Sequence, residues 1–254
     1  MIELIDSHIH LDDPRFDLDR EELVKLAHIS GVQRFVVPAV SRQRFAAVEQ
    51  LANSHPAIVH TLGLHPYYID QHSGADLEQL AAAIPVSQAV GIGECGLDHF
   101  LKNLDKKKQR LVFEAQVVLA KHFNLPLILH VRGAVAEVFD VLRQHDYFQA
   151  VMHSFNGSIE QAKQITDCGV LLGFGPAVCN PKASKLQALV RAVDPQHMLL
   201  ETDAPDQPFY DRHGKRNLPI DLLRVNQDIA AIKDIDPMQL ATQTSDNARR
   251  LFGL

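Results

Sequence analysis

The chain has 254 residues, a hydrophobic content of 46% and a formal net charge of -6 at pH 7. This length allows one large domain with a sizeable buried core. The acidic balance disfavours a protein that coats nucleic acid by neutralising phosphates, because such proteins usually carry a basic excess. No apolar run approaches the roughly 20 residues that cross a bilayer, no signal peptide is visible, and three widely spaced cysteines argue against a disulfide framework. We therefore expect a cytoplasmic protein that does not bind membranes.

Short apolar runs typical of strands alternate along the chain with amphipathic runs typical of helices. The predicted strands are 3–6, 33–38, 58–62, 89–93, 125–129, 150–153, 170–173 and 198–201. The predicted helices are 18–30, 45–53, 76–83, 106–123, 134–145, 159–168, 183–193, 220–233 and 238–251. Most of the strands are rich in Val, Ile and Leu without polar alternation, as expected where both faces of a sheet are covered.

Strands and helices that alternate regularly over this length are typical of a TIM (β/α)8 barrel. An open doubly wound sheet is the alternative, but no Gly-x-Gly-x-x-Gly turn follows the first predicted strand. No linker or change in composition marks a second domain. We therefore predict a single TIM-barrel domain over residues 1–254, present as a monomer and without an obligatory protein partner.

Residues that could bind metal follow six of the eight predicted strands. His8 and His10 are separated by one residue, so in an extended strand both side chains project from the same face. The carboxyl ends of the strands meet at one mouth of a TIM barrel, which is where its active site lies. Any one of these residues alone is better explained as a solvated or core side chain. Their convergence indicates a site formed by His8, His10, His65, Glu94, His130, His153, Glu201 and Asp203.

The chemistry of this set predicts a centre for two divalent metal ions, with a water activated by the metals as nucleophile. Imidazole and carboxylate ligands suit Zn²⁺ or Mn²⁺ better than Mg²⁺, which prefers oxygen. A carboxylate can bridge two cations about 3.5–4 Å apart, and Glu94, midway round the ring, is the candidate bridge. Asp203 is expected to bind one ion and to orient or deprotonate the water, so Glu94 and Asp203 are the predicted catalytic residues. The predicted metal ligands are His8, His10, Glu94, His130, His153 and Asp203.

Basic residues near the predicted mouth suggest a phosphorylated substrate. His65 and Arg132 follow strands, and Arg216 belongs to a basic stretch, 212–216, after the eighth strand. Such side chains could receive a phosphate, and we place Glu201 with them in the predicted substrate-binding set. The alternatives remain open: Arg132 and Glu201 could form only a structural ion pair, and 212–216 could be solvated surface.

Successive motifs of this chain resemble the signatures of TatD-type metal-dependent hydrolases. They are Asp-Ser-His-Ile-His at 6–10, Gly-Leu-His-Pro at 63–66, Ile-Gly-Glu-Cys-Gly-Leu-Asp at 92–98, His-Val-Arg-Gly-Ala at 130–134, His-Ser-Phe-Asn-Gly-Ser at 153–158, Glu-Thr-Asp-Ala-Pro at 201–205 and Gly-Lys-Arg-Asn at 214–217. The resemblance implies a TIM barrel of the amidohydrolase type and hydrolysis that depends on divalent metal. It implies one ion held by His8, His10, Glu94 and Asp203, a second held by Glu94, His130 and His153, and Glu201 near a further ion.

Deoxyribonuclease activity is known for several members of that family, so the leading hypothesis is a phosphodiesterase that acts on DNA. A second hypothesis keeps the metals and takes a small-molecule phosphoester, amide or lactone as substrate. A third is a scaffold that binds metal without catalysis. Metal-dependent turnover would exclude the scaffold. Cleavage of an oligonucleotide would distinguish the phosphodiesterase that acts on DNA from the hydrolase of a small molecule.

Overall fold

The computed structural model of this chain describes residues 2–212 and 214–254. Its strands are β1 (Leu4–Asp6), β2 (Val32–Pro38), β3 (Ile58–Thr61), β4 (Ile92–Asp98), β5 (Leu127–Arg132), β6 (Ala150–Met152), β7 (Leu171–Phe174) and β8 (Met198–Leu200). Its α-helices are α1 (Arg20–Ile29), α2 (Phe45–Ser54), α3 (Gly74–Ala83), α4 (Lys106–Phe123), α5 (Val135–His145), α6 (Ile159–Asp167), α7 (Ser184–Ala192), α8 (Leu222–Lys233) and α9 (Pro237–Phe252). Within the described ranges, no helix combines the length and the apolar character that crossing a bilayer requires.

The strands form a closed parallel barrel from two hydrogen-bonded arcs. One arc is β1–β2–β3 and the other runs from β4 to β8 in chain order. A parallel bridge between Leu62 and Ile92 joins the arcs. On the other side, the Ser7 N–H donates to the Leu200 carbonyl oxygen at 3.0 Å, so β8 lies beside β1. The predicted TIM barrel is confirmed, and the open doubly wound sheet is excluded because such a sheet would leave two unpaired edges.

A layer of aliphatic side chains fills the barrel interior below the site. It consists of Ile5, Val36, Ile128, Val151, Leu171 and Leu199, with Val59 and Val90 packed against it. The end of α9 covers this layer through Leu251 and Phe252. A second, larger cluster lies between the barrel and its helices. The strands are therefore buried on both faces, which explains their continuous runs of Val, Ile and Leu.

Because side chains alternate along each strand, the inward aliphatic residues of this layer are followed by inward polar residues at the mouth. Residues two apart in a strand point to the same face. His130 therefore follows Ile128 into the interior, and His153 follows Val151 in the same way. Each histidine comes two positions after an inward aliphatic residue, and this spacing places it at the mouth.

Two predicted strands were wrong in their bounds. The fourth was predicted at 89–93 but runs over Ile92–Asp98, and the fifth was predicted at 125–129 but runs over Leu127–Arg132. Their pairing continues as far as Asp98 opposite Arg132. Glycine and charged residues lack the apolar pattern of a strand, which concealed this extension. Glu94 and His130 consequently lie within strands rather than in the loops after them.

Gly96 is required where β4 and β5 approach most closely. Its φ is +132°, and a Cβ atom at this position would lie 2.1 Å from the carbonyl oxygen of His130. That distance is far inside van der Waals contact, and the oxygen belongs to the backbone of the neighbouring strand. Any side chain at position 96 would therefore push apart the two strands that carry Glu94 and His130.

We predict that Gly96→Ala lowers the free energy of unfolding by about 3 kcal/mol or more, because the clash adds to the cost of an unfavourable φ. The matched control is Gly74→Ala at the start of α3, where nothing lies within 4 Å of the added Cβ. Urea denaturation of the two variants measures the difference. A Gly96→Ala protein as stable as the control would contradict the packing described for β4 and β5.

Candidate metal centre

The buried carboxylate of Glu94 stands at the centre of the predicted ligands. Its Oε2 lies 3.3 Å from Nε2 of His8 and 3.5 Å from Nε2 of His10. Its Oε1 lies 3.0 Å from Nδ1 of His130 and 3.0 Å from Nε2 of His153. The two oxygens of one carboxylate thus face different histidines, which is the arrangement that a bridging ligand needs.

Hydrogen bonds between the segments after β1 and β8 bring Asp203 to the histidines of the first pair. The Asp203 N–H donates to the carbonyl oxygen of His8 at 2.9 Å. Asp6 at the end of β1 accepts from the Thr202 hydroxyl at 2.6 Å and from the Thr202 N–H at 3.0 Å. As a result, Oδ1 of Asp203 lies 3.4 Å and 3.5 Å from Nε2 of His8 and His10. These three side chains form one ligand group although almost 200 residues separate them in the chain.

A hydrogen bond from Gln207 orients the Asp203 carboxylate. The Gln207 amide donates to Oδ2 of Asp203 at 2.7 Å and to the hydroxyl of Ser154 at 2.9 Å. Because Oδ2 is engaged in this way, Oδ1 is the oxygen left to face His8 and His10. The sequence contains no motif that would have identified Gln207, since it lies in an irregular loop.

Asp98 fixes the orientation and the tautomer of His130. The His130 Nε2 donates to Oδ2 of Asp98 at 3.1 Å, and Oδ1 of Asp98 accepts from the backbone N–H of Phe100 at 3.0 Å. In a neutral imidazole with its proton on Nε2, the lone pair is on Nδ1. That nitrogen faces Glu94, so it is free to bind a metal ion. Asp98 was not among the site residues predicted from the sequence, although strand alternation over 94–98 would have placed it on the face of Glu94.

His65 faces Glu94 as a hydrogen-bond donor. Its Nδ1 accepts from the backbone N–H of Tyr67 at 2.9 Å, so the proton of the neutral ring is on Nε2, which lies 2.9 Å from Oε1 of Glu94. Burial lowers the pKa of His65 to about 4, and the ring is therefore neutral at physiological pH. A protonated nitrogen cannot bind a metal ion, so this geometry argues against His65 as a metal ligand, and its contact with substrate stays a prediction.

The charges in the cluster favour the binding of a cation. Burial alone would raise the pKa of the Glu94 carboxyl, but the surrounding histidines hold it well below its usual range. The pKa of Asp203 is lowered as well, by its hydrogen bond from His10 and its proximity to His8, against the effect of burial. Burial would lower the pKa of His10, yet the hydrogen bond to Asp203 and the charge of Glu94 raise it to about 9. Two ionised carboxylates in a buried pocket thus stabilise a cation beside them.

The donor set and its spacing fit divalent metal ions. The Nε2 atoms of His8 and His10 lie 3.3 Å apart, within hydrogen-bonding distance, so both nitrogens are directed at the same position. Three triplets of ligand atoms lie within 4.8 Å of one another: His8, Glu94 and His153; His8, His10 and Asp203; and His65, Glu94 and His130. The tautomer of His65 argues against its membership in the third triplet, which leaves the six predicted ligands.

Glu201 lies behind the ligands and not on the wall of the mouth. It is fully buried, its Oε1 accepts from the Ser154 N–H at 2.6 Å, and this oxygen lies 3.6 Å from Nδ1 of His153. A Cβ atom at Gly173 would lie 2.3 Å from Oε2 of Glu201, so the glycine provides the space for this carboxylate. Glu201 is placed to support His153, whereas the sequence suggested contact with substrate.

The mouth is a cavity of about 710 Å³ above the ligands. Arg132, predicted to bind substrate, lines it together with His65 and Tyr67. Arg216, also predicted to bind substrate, hydrogen-bonds to Asp19 and to the carbonyl oxygen of Arg15 and does not line the cavity. His213, in the same basic stretch, lies outside the described residues.

The chain matches the family described as TatD related DNase over residues 5–253. It belongs to the TatD family of metal-dependent hydrolases. It is 34% identical over 253 residues to the Escherichia coli protein named as the uncharacterised metal-dependent hydrolase YjjV, with 98% of each chain covered. The crystal structure of that protein superposes with a TM-score of 0.95 over 99% of this chain and 98% of the other.

A further TatD relative carries the name of a nuclease. The chain is 30% identical over 259 residues to the 3'-5' ssDNA/RNA exonuclease TatD of Erwinia tasmaniensis, covering 99% of this chain and 100% of that one. The family membership and the buried histidine and carboxylate cluster agree on metal-dependent hydrolysis.

We predict that Asp98→Ala weakens the binding of metal by about 10- to 100-fold, because His130 loses the partner that fixes its tautomer. Asp98→Asn keeps one side-chain oxygen, which can accept from Nε2 of His130 or from the N–H of Phe100 but not from both. We expect its affinity for metal to lie between those of the unmodified protein and Asp98→Ala. Competition with a chelator, followed by elemental analysis, measures both affinities. Wild-type affinity in Asp98→Ala would contradict the role given to Asp98.

Proposed function

We propose that this TatD-family protein is a phosphodiesterase that hydrolyses DNA at a centre of two divalent ions. The observation that carries the proposal is the position of the Glu94 carboxylate. Its Oε2 faces His8 and His10, and its Oε1 faces His130 and His153. One ion would be held by His8, His10, Glu94 and Asp203, and the other by Glu94, His130 and His153. When bound, such ions lower the pKa of water and neutralise charge that develops on a phosphoryl group.

Imidazole ligands suit Zn²⁺ or Mn²⁺ better than Mg²⁺. The proposed nucleic-acid substrate rests on the name of the Erwinia relative and on the polar mouth.

The side chains at the mouth have distinct proposed roles. Asp203 is the candidate general base, because its carboxyl is ionised, lines the cavity and is held in orientation by Gln207. His65 donates its Nε2 proton to Oε1 of Glu94 and would hold that carboxylate in orientation. Arg132 supplies a guanidinium on the same wall. These groups position a phosphodiester and accept the proton of an attacking water.

A smaller phosphoester is the second candidate, and the ion pairs around the mouth favour it. Arg15 pairs with Asp13 and Asp206, both at 2.9 Å, and Arg44 pairs with Asp12 at 2.7 Å. Arginines already neutralised by aspartates offer little to the phosphates of a long nucleic acid. Turnover of generic phosphoesters without cleavage of any oligonucleotide would favour this candidate over DNA.

The test is cleavage of an end-labelled single-stranded oligonucleotide by the purified protein with Mn²⁺, Zn²⁺ or Mg²⁺. We expect cleavage that chelation abolishes, and a rate lower by about 100-fold or more in Asp203→Asn, because this substitution removes the general base and a charged ligand of one ion. His130→Ala should be equally inactive through loss of a ligand.

Asp211→Asn is the matched control, since this aspartate pairs with Arg224 at 2.9 Å and does not line the cavity. It should cleave at the wild-type rate. Cleavage no faster than in His130→Ala and Asp203→Asn would reject the proposed nuclease activity.

A further inference from the structure

Tyr67 presents a fixed aromatic ring on the cavity wall. Its side chain follows β3, is 55% exposed and lines the mouth. The hydrogen bond from its N–H to His65 holds the backbone, and the ring packs edge-on against Tyr68 with centroids 5.0 Å apart. The ring is therefore oriented before any ligand arrives.

Arg132 and Phe100 form a second planar surface. The central carbon of the Arg132 guanidinium lies 3.9 Å from the centroid of the Phe100 ring. Arg132 lines the cavity and its side chain is 49% exposed, whereas Phe100 is 65% exposed but does not line it. The ring therefore packs against the guanidinium, which also borders the cavity. A stacked guanidinium of this kind presents a flat face that a lysine could not offer.

These two surfaces flank the strand that carries Glu94. In the barrel, β4 lies between β3 and β5, Tyr67 follows β3, and Arg132 ends β5. A ligand phosphate at Glu94 would thus have one flat surface on each side. Arg15 and Arg44 nearby are paired with aspartates, and Arg132 itself lies 4.0 Å from Oδ2 of Asp98. The mouth is therefore better equipped to hold flat groups than a long run of phosphates.

We propose that Tyr67 and the Arg132–Phe100 pair are nucleobase-stacking sites on either side of the phosphate that is cleaved. The inference rests on the proposed phosphodiesterase function and names the side chains that would hold the bases of a single-stranded substrate. Aromatic rings and arginine planes bind bases through their faces, which are covered by neighbouring bases in a duplex. Affinity for such a strand would come from its bases more than from its backbone charge.

The experiment compares two fluorescein-labelled hexamers bound by the metal-loaded enzyme. One is a hexathymidylate and the other is an abasic hexamer of equal charge, both with phosphorothioate linkages that slow cleavage. Fluorescence anisotropy gives each dissociation constant. We expect the thymidylate to bind at least about tenfold more tightly. Tyr67→Leu and Arg132→Lys should each reduce that ratio several-fold, the latter although the positive charge is kept.

Tyr67→Phe and Tyr210→Leu are the controls. The first keeps the ring, and the second removes another exposed aromatic side chain, which lies near Arg224 and does not line the cavity. Both should keep the wild-type ratio. The proposal is overturned if the two hexamers bind the wild-type enzyme equally, or if either Tyr67→Leu or Arg132→Lys keeps the full ratio. If the two hexamers bind equally while the enzyme still cleaves DNA, only the stacking sites are rejected. If neither hexamer binds and DNA is not cleaved, the proposed function is rejected too.

Discussion

The buried carboxylate of Glu94 is the interaction on which the arrangement of the mouth depends. An ionised group in the interior is costly unless it is paired, and Glu94 is surrounded by imidazoles contributed by β5 and by the segments after β1, β3 and β6. Oε2 lies near the imidazoles that follow β1, whereas Oε1 lies near the others. The negative charge of the carboxylate also favours the binding of cations in the cluster. The close packing around Gly96 sets the spacing of the strands that carry Glu94 and His130.

The sequence was sufficient to predict the barrel and the histidines and carboxylates that the structure brings together at its mouth. Aliphatic runs marked the strands, and the same two-residue alternation that points Ile128 and Val151 inward also points His130 and His153 inward. A TIM barrel then gathers all of its strand ends at one mouth. His8 and Asp203 therefore become neighbours because β1 and β8 close the barrel, a consequence of topology that requires no local signal.

Side-chain orientation and hydrogen bonding could not be predicted in the same way. Arg216 and Asp19 pair through tertiary contacts between distant loops, and nothing in the local sequence distinguishes a paired arginine from a free one. The proton position on His65 depends on the backbone N–H of Tyr67, which only the folded loop reveals. The roles of Asp98 and Gln207 likewise follow from contacts with residues on other segments. Sequence identified the types of ligand, while the fold determined which atom of each could act.

Anomalous diffraction from crystals of the protein grown with its native metal tests the central claim most directly. We expect two ions about 3.5–4 Å apart, one bound by Oε2 of Glu94 with His8, His10 and Asp203, the other by Oε1 with His130 and His153. His65 should contact neither ion. Two peaks that share Glu94 in this way would establish the bridge. A single ion bound to one oxygen of Glu94, or ions bound through His65 instead of His130, would contradict it.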